Sequence, residues 1–541
     1  MRKLRSVTLA AGTLALAASC VHASTFDILN SFQGGSGGYA NPQPGPFFSP
    51  VTPPDVTGAV GMNGTTELVT EFLNGYYGVY TSGGVPIAQE TNGVFWENAL
   101  GAATFDQTFG VGGSVFPSDP RMVYDPSSKR WFVSQITASS IAGVSGNSFL
   151  LAVSNTSNPA GTWSGFALPT APGFGAGTDF DMLGMNNSNV YISGDAFSAG
   201  AGGYSVVGST TLAIPKASLI GAGGATPSVN GYQLFDASQF AAGTVLNHPV
   251  MELGSSSNTE YLYSGDNTNQ LVRSSISGTS QANYTLSQGA GSVASFTGPG
   301  VAKNLPLTAQ TSTNSPNNAG QPGTAATLST GDSRLSSNLY MVNGLVWGTQ
   351  TVVNPTNSAL SAIRYYAIDP ALNRVVAQGI ITDPNHATSS LYYGSIAVSS
   401  TGNVVIDFEE SSTTQSASTF IVTGAYNGSS LALAASGIPQ LLSAGTGYYV
   451  ESPGQTTGSS RWGDYSTIWA DPNNPHNFWI MQELPSSTNP NQWTTMITQI
   501  DPPGPTTIGP ASTVPEPGVL PILLLGVAPL LLTLRRRKVG G

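Results

Sequence analysis

Along most of this chain, short apolar–polar alternations come in pairs, and each pair is broken by a cluster of Gly, Asn, Asp or Pro. Residues 118–136, SDPRMVYDPSSKRWFVSQI, show the pattern best. Period-2 alternation predicts strands at 121–124 and 130–136, and the Asp-Pro-Ser-Ser-Lys between them suits a turn, because Asp bonds its own backbone and Pro fixes φ. Met122 and Tyr124 then share one face, and Trp131 and Val133 share a face of the partner strand. Looser copies of polar lead-in, strand, turn, strand recur at 53–73, 178–193, 247–265, 330–348, 392–408 and 460–482. Helical periodicity is scarce, and no amphipathic helix longer than two turns is expected.

Copies start roughly 60–85 residues apart, longer than the roughly 40–50 of a propeller blade. The excess reads as polar loops at 221–229, 287–329 and 411–418, and the last copy, 460–500, has none. The pattern predicts an all-β chain: a β-propeller of seven four-stranded blades, with six or eight blades and a pair of β-sandwiches as rival counts and architectures. A strand near 26–32 would complete the last blade and remove the free sheet edges.

The two ends differ from this body. Residues 1–23 carry Arg2, Lys3 and Arg5, then a small apolar run, then Val21-His22-Ala23, the form of a cleaved secretory signal helix. The single cysteine, Cys20, lies within it, so the exported body is expected to hold together by burial without disulfides. At the other end Val514-Pro515-Glu516-Pro517 precedes an apolar run, 518–534, long enough to cross a bilayer as a helix, and then Arg535-Arg536-Arg537-Lys538. That order resembles the PEP-CTERM sorting signal of Gram-negative bacteria. The resemblance implies exosortase as a partner, cleavage near the motif and delivery to the cell surface. The expected division is a signal at 1–23, a propeller at 24–505, a linker at 506–517 and a membrane helix with basic tail at 518–541.

Setting aside both ends leaves 10 basic against 27 acidic residues, near −17. Such a body repels nucleic acid and anionic lipid, so its only expected membrane contact is the C-terminal helix before processing. The body also resembles a group of bacterial secreted propeller proteins, through Pro53-Pro54-Asp55 with Gly58 and Gly61, Asp119-Pro120 with Tyr124-Asp125 and Arg130-Trp131, Asp332-Ser333-Arg334-Leu335, 363–366 with 368–370, and Arg461-Trp462-Gly463-Asp464-Tyr465. That resemblance implies the fold and an extracytoplasmic location, without an activity.

Chemistry is sparse. There is no Gly-x-Ser-x-Gly elbow and no phosphate-binding loop. His248, His386 and His476 lack metal-ligand spacing and read as ordinary loop residues. The polar lead-ins are the better candidates. In a propeller they meet at the mouth of the central channel, which would gather Asp55, Asp119, Asp179, Asp181, Asp332, Arg334, Arg461 and Asp464. Carboxylates and guanidiniums there suit sugar hydroxyls, a carboxylated sugar or Ca²⁺; each equally suits a turn cap or a tie between blades. Ca²⁺ also has two weak loop candidates, 471–474 and 266–269.

Three functions stay open. The first is a surface binding or structural module associated with exopolysaccharide, with Trp96, Trp163 and Trp493 as stacking surfaces. The second is a glycan-processing enzyme. Its sialidase-like form would use Arg334, Arg461 and Arg364 with Tyr465 or Tyr393, although residues 158–163 make only a degenerate Asp-box. A two-carboxylate form would use Asp119 and Asp464, and a polysaccharide lyase would set a Tyr or His base near an Arg. The third is a protein-adhesion propeller. The expectation leads with the binding module.

Overall fold

A computed structural model describes residues 26–38, 48–49, 51–110, 115–139, 147–170, 177–200, 203–221, 227, 229–236, 247–254, 257–265, 270–278, 285–287, 303–306, 318–331 and 333–503. The expected signal helix, sorting motif and membrane helix lie outside them. Among the described residues no helix is long and apolar enough to cross a membrane.

The body is built from antiparallel meanders that follow one another along the chain. The first runs Thr57–Asn63, Thr66–Leu73, Tyr76–Thr81, Pro86–Glu90, and the second Val115–Asp125, Arg130–Ser139, Ser148–Ser154, Trp163–Pro169. The third starts at Thr178–Met185, the fourth at His248–Met251, the fifth at Leu339–Val342 and the sixth at Ser390–Val398. The last runs Thr467–Ala470, Phe478–Pro485, Gln492–Asp501 and takes its fourth strand, Asp27–Gly38, from the start of the body. That strand pairs antiparallel from Asp27↔Asp501 to Gly38↔Gln492. The first strands of successive meanders touch in chain order, and Thr467–Ala470 returns to touch Thr57–Asn63. A ring of sheets around inner strands is the architecture of a β-propeller.

Local chemistry explains the hairpins. In the repeat at 118–136 the register is Met122↔Val133 and Tyr124↔Trp131, which sets the two expected faces against each other, and the Tyr124 and Trp131 rings lie 4.8 Å apart. The Asn343-Gly344 turn takes φ of 53° and 77°, the left-handed pair a two-residue hairpin needs. Asp125 accepts from the Ser127 and Ser128 N–H groups, as a turn-initiating Asp should. The cores lie between and within the sheets, around fully buried Trp131, Trp347, Trp462, Trp479 and Trp493.

Two expectations fail. Helices occupy Asn92–Leu100 and Ala102–Phe109, between the first and second meanders. The first buries Asn92, Phe95, Trp96 and Ala99, one helical face at i, i+3, i+4 and i+7, which the polar Asn92 inside it and the exposed Val94 outside it obscure in the sequence; the second buries Phe109 alone. Residues 411–418 are not an inserted loop: Asn403–Ser412 and Gln415–Tyr426 pair through a tight turn.

The closing strand rests on a buried acid. Glu71 is fully buried and its Oε2 accepts from the Gly35 N–H at 2.6 Å. A side chain at Gly34 would collide with this carboxyl, which accounts for the glycine pair. Burial pushes Glu71 up to about 7, although hydrogen bonds from Thr495 and Gly35 pull it down. An acid raised above its unfolded value of about 4.5 stabilises the fold fully below that value and loses the contribution as pH rises through 7. Glu71→Gln is therefore expected to stabilise the protein at pH 8 by up to roughly 3 kcal/mol and to change little at pH 4, read as urea midpoints. Destabilisation that is larger at pH 8 than at pH 4 would mean that the anion is the form the fold prefers.

Candidate functional site

The inner strands begin in an unusual backbone. Asp55, Asp119, Phe180 and Tyr393 have φ of 50°, 57°, 58° and 50°, a conformation uncommon for residues other than glycine. The pairing register slips between Ser118 and Arg121, between Asp179 and Met182, and between Tyr392 and Ser395. Each slip is a bulge at the same place on an inner strand, and bulges re-aim side chains. The lead-ins thus turn towards a common cavity of about 280 Å³, lined by Asp179, Phe180, Arg334, Tyr393, Arg461 and Asp464 among others. That volume is at the small end of ligand pockets.

Charges of both signs meet there. Arg461 Nη2 lies 2.6 Å from Asp464 Oδ2. Desolvation lowers Arg461, but Asp464, then Asp55, Tyr393 and Asp119, outweigh it and hold the guanidinium above its usual range. Arg334 reaches Asp195 Oδ2 at 3.4 Å and lies 4.5 Å over the Phe180 ring. Beside the cavity, Asp119 is 7% exposed. Burial first, then Asp179 and Asp464, push it up to about 7, against Ser118 and Arg121. Asp55 is raised well above the carboxylate range by burial, then by Asp464 and Asp119.

Asn74 joins two lead-ins. Its Nδ2 donates to Asp55 Oδ2 at 2.7 Å, and its Oδ1 accepts from the Asp119 N–H at 3.0 Å. Below lies Arg121, whose Nε donates to Asp181 O at 2.9 Å and Nη1 to Ser336 O at 2.8 Å, with Cζ 3.4 Å over the Tyr465 ring.

Of the expected site residues, Asp179, Arg334, Arg461 and Asp464 line the cavity, and Asp55 and Asp119 stand beside it, close enough to Asp464 to be raised by it. Asp181 is displaced inward: fully buried, it accepts from Ser134 Oγ at 2.6 Å, is raised first by burial, and does not line the cavity. Asp332 lies outside the described residues. Arg364 is buried on the strand Ser361–Asp369 and is not among the lining residues. Tyr465 is buried, donating to Pro120 O, so of the two tyrosines only Tyr393 lines the cavity. Trp96, Trp163 and Trp493 are 0%, 9% and 0% exposed and offer no stacking surface; each indole N–H is used internally, by Gln135, Pro159 and Val51.

The Ca²⁺ candidates change too. Asp471 spends Oδ1 on the Asn473 and Asn474 N–H groups and Oδ2 on Gln499, as a turn cap does. Residues 266–269 lie outside the described set. At the cavity, two guanidiniums among the carboxylates suit hydroxyls or a bound carboxylate better than a bare cation. His248 is not a loop residue but a fully buried strand residue, lowered to about 3 by burial and then by Arg121. Sequence reasoning missed Asn74, Phe180 and Arg121 as site builders. The local signal was the repeated polar lead-in that carries Asp119, Phe180 and Tyr393 in the first half of an inner strand.

Neither a family model nor a curated protein sequence matches the chain. Among solved structures it is similar to a protein of unknown function from Dyadobacter fermentans (8% identity, TM-score 0.30, covering 72% of this chain and 96% of that one). It is also similar to the Trypanosoma rangeli sialidase in complex with 2,3-difluorosialic acid (8%, 0.32, 71% and 53%) and to the Penicillium chrysogenum α-L-arabinanase complexed with arabinobiose (9%, 0.32, 71% and 92%). The chain spans about half the length of the sialidase. These likenesses are too distant to carry an argument, and the fold assignment rests on the strand pairing above.

Proposed function

We propose that the channel mouth processes a glycan, with Asp119, beside the cavity, as general acid and Asp464, on its lining, as the ionised carboxylate. One observation carries this reading: two carboxylates of one site sit in opposite surroundings. Asp119 is buried beside other acids and pushed up to about 7, whereas Asp464 is paired with Arg461 at 2.6 Å. Glycoside cleavage asks for such a division, one carboxyl holding a proton for the leaving oxygen and one negative towards the developing positive charge. Arg334 and Arg461 would grip hydroxyls or a carboxylate of the sugar, and Tyr393 would line its path.

We place this reading ahead of the binding module because the mouth sets a raised carboxyl beside an ion-paired one, a division that glycan cleavage uses and binding alone does not require. The reading includes a seven-bladed ring, supported by the seven meanders. It also takes residues 1–23 as an export signal and 514–538 as an exosortase-processed tail, supported by sequence alone. The processed protein would act at the cell surface or outside it.

The test offers purified protein to neutral and acidic polysaccharides, including the host's own exopolysaccharide. New reducing ends that vanish with Asp119→Asn support the proposal. Unsaturated ends would mean a lyase. Retention without product would return the site to the binding module, and neither signal would point to a protein partner.

A further inference from the structure

Away from the channel mouth, the connection from the fifth to the sixth meander brings together three groups that sequence spacing did not associate. Asp383 and His386 lie in the turn after the strand Arg374–Ile381, and Glu410 is on the strand Asn403–Ser412. His386 Nδ1 is 2.8 Å from Asp383 Oδ2 and 2.9 Å from Glu410 Oε1. None of the three lines the channel-mouth cavity.

Hydrogen bonding does not account for this convergence. One imidazole nitrogen carries at most one hydrogen, in the ring plane, and cannot serve two carboxylates at once. Asp383 Oδ2 makes no hydrogen bond of good geometry despite its short approach to the ring. Glu410 Oε2 likewise makes no hydrogen bond of good geometry, on a side chain that is 0% exposed, although Ser389 and Asp383 lie within reach of its carboxyl. Leaving a buried carboxylate oxygen unpaired is costly.

The surroundings orient the three ligands. Asp383 Oδ1 accepts from the Asn385 N–H at 2.7 Å, which fixes Oδ2 towards His386. Gln415 Nε2 reaches Glu410 Oε1 at 3.4 Å, and the His386 ring stands edge-on to Phe420 at 5.9 Å. Supports of this kind set the direction of metal ligands. His386 is 43% exposed, so the site has a way in and room for water in a fourth position.

We propose that Asp383, His386 and Glu410 form a divalent transition-metal site that ties the fifth-to-sixth connection to the sixth sheet. One imidazole and two carboxylates suit Zn²⁺ or Mn²⁺; Ca²⁺ prefers oxygen alone. At metal–ligand distances of about 2.0–2.2 Å the two carboxylate oxygens need open only slightly from His386 Nδ1, and all three atoms already lie within 4.8 Å of one another.

The test is calorimetric titration of the chelator-treated full-length protein with ZnCl₂, MnCl₂ and CaCl₂ at pH 7, with thermal melts alongside. One equivalent of Zn²⁺ or Mn²⁺ is expected, with a raised melting temperature and little response to Ca²⁺. His386→Ala removes a half-exposed side chain and should leave the metal-free melt nearly unchanged while weakening binding at least 100-fold. His476→Ala should bind as the parent does. No binding, binding unchanged by His386→Ala, or a Ca²⁺ response equal to that of Zn²⁺ would overturn the site. Glu410→Gln, if it folds, should reproduce the loss.

Discussion

Asp119→Asn is expected to slow glycan cleavage by roughly 10²–10⁴-fold, the usual worth of a general acid. Asn keeps the shape, and the backbone N–H at 119 still donates to Asn74 Oδ1, so the lead-in should hold. Only the transferable proton is lost. A structural role alone would predict a different signature. Asp119 is held near 7, above its unfolded value of about 3.8, by burial and then by Asp179 and Asp464. Its contribution to stability is complete below about 3.8 and is lost as pH rises through 7, so at pH 8 the ionised carboxyl opposes folding. The variant should then be more stable than the parent at pH 8, by up to roughly 4 kcal/mol, and equal to it near pH 3. Turnover by the parent should fall as pH rises above about 7, because the acid has given up its proton. A variant that is slower and also less stable at pH 8 would make Asp119 a turn cap and remove it from the chemistry.

Arg121→Ala should destabilise the protein by roughly 3–5 kcal/mol, the cost of breaking a buried charged network. The guanidinium bonds carbonyls of Asp181 and Ser336 and lies on Tyr465, so one side chain from the second meander holds three other parts of the ring. Alanine removes a donor from the buried Asp181 carbonyl and from the half-buried Ser336 carbonyl and leaves a void under Tyr465. It also removes a cation that lowers Asp55, Asp119 and Asp181. The fall in urea midpoint should be accompanied by loss of turnover. Arg121→Lys should recover part of the stability and little of the activity, since an ammonium can neither fork between two carbonyls nor stack as a plane. A midpoint within about 1 kcal/mol of the parent would show that the blades hold without this clamp.

Hairpins and their order were legible in the sequence because they are local. Met122, Tyr124, Trp131 and Val133 alternate within a few residues of their own turn, and a period of two is readable at that range. The closing strand was legible for the same reason: Phe26, Ile28 and Phe32 alternate before a glycine-rich connection. Site residues were legible only as a class. Asp55, Asp119 and Asp464 stand in matching lead-ins, so a ring brings them together. Asn74 and Arg121 lay hidden, because what they bind belongs to other sheets. Asp383 and His386 were close in sequence, yet the third member, Glu410, sits on a strand of the next sheet. The tryptophans misled because a large aromatic in a β-rich chain reads alike whether it faces sugar or a neighbouring sheet. The helix at 92–100 was missed because its buried face includes the polar Asn92 while the apolar Val94 stays exposed, and the helix at 102–109 because it buries Phe109 alone.

Pairing of Asp27–Gly38 with Gln492–Asp501 also sets a schedule for folding. Asn30 donates to Gln499 across 469 residues of chain. A chain that emerges from its N-terminus must carry this strand, with Phe26 and Phe32, unpaired until almost the whole body has followed. Every other meander can form from its own neighbours; this one waits. Its acceptance is therefore the committing, slow step, as contacts of high sequence separation tend to be. A chain stopped anywhere before residue 492 would present an unsealed ring with two sticky edges, open to pairing with another copy.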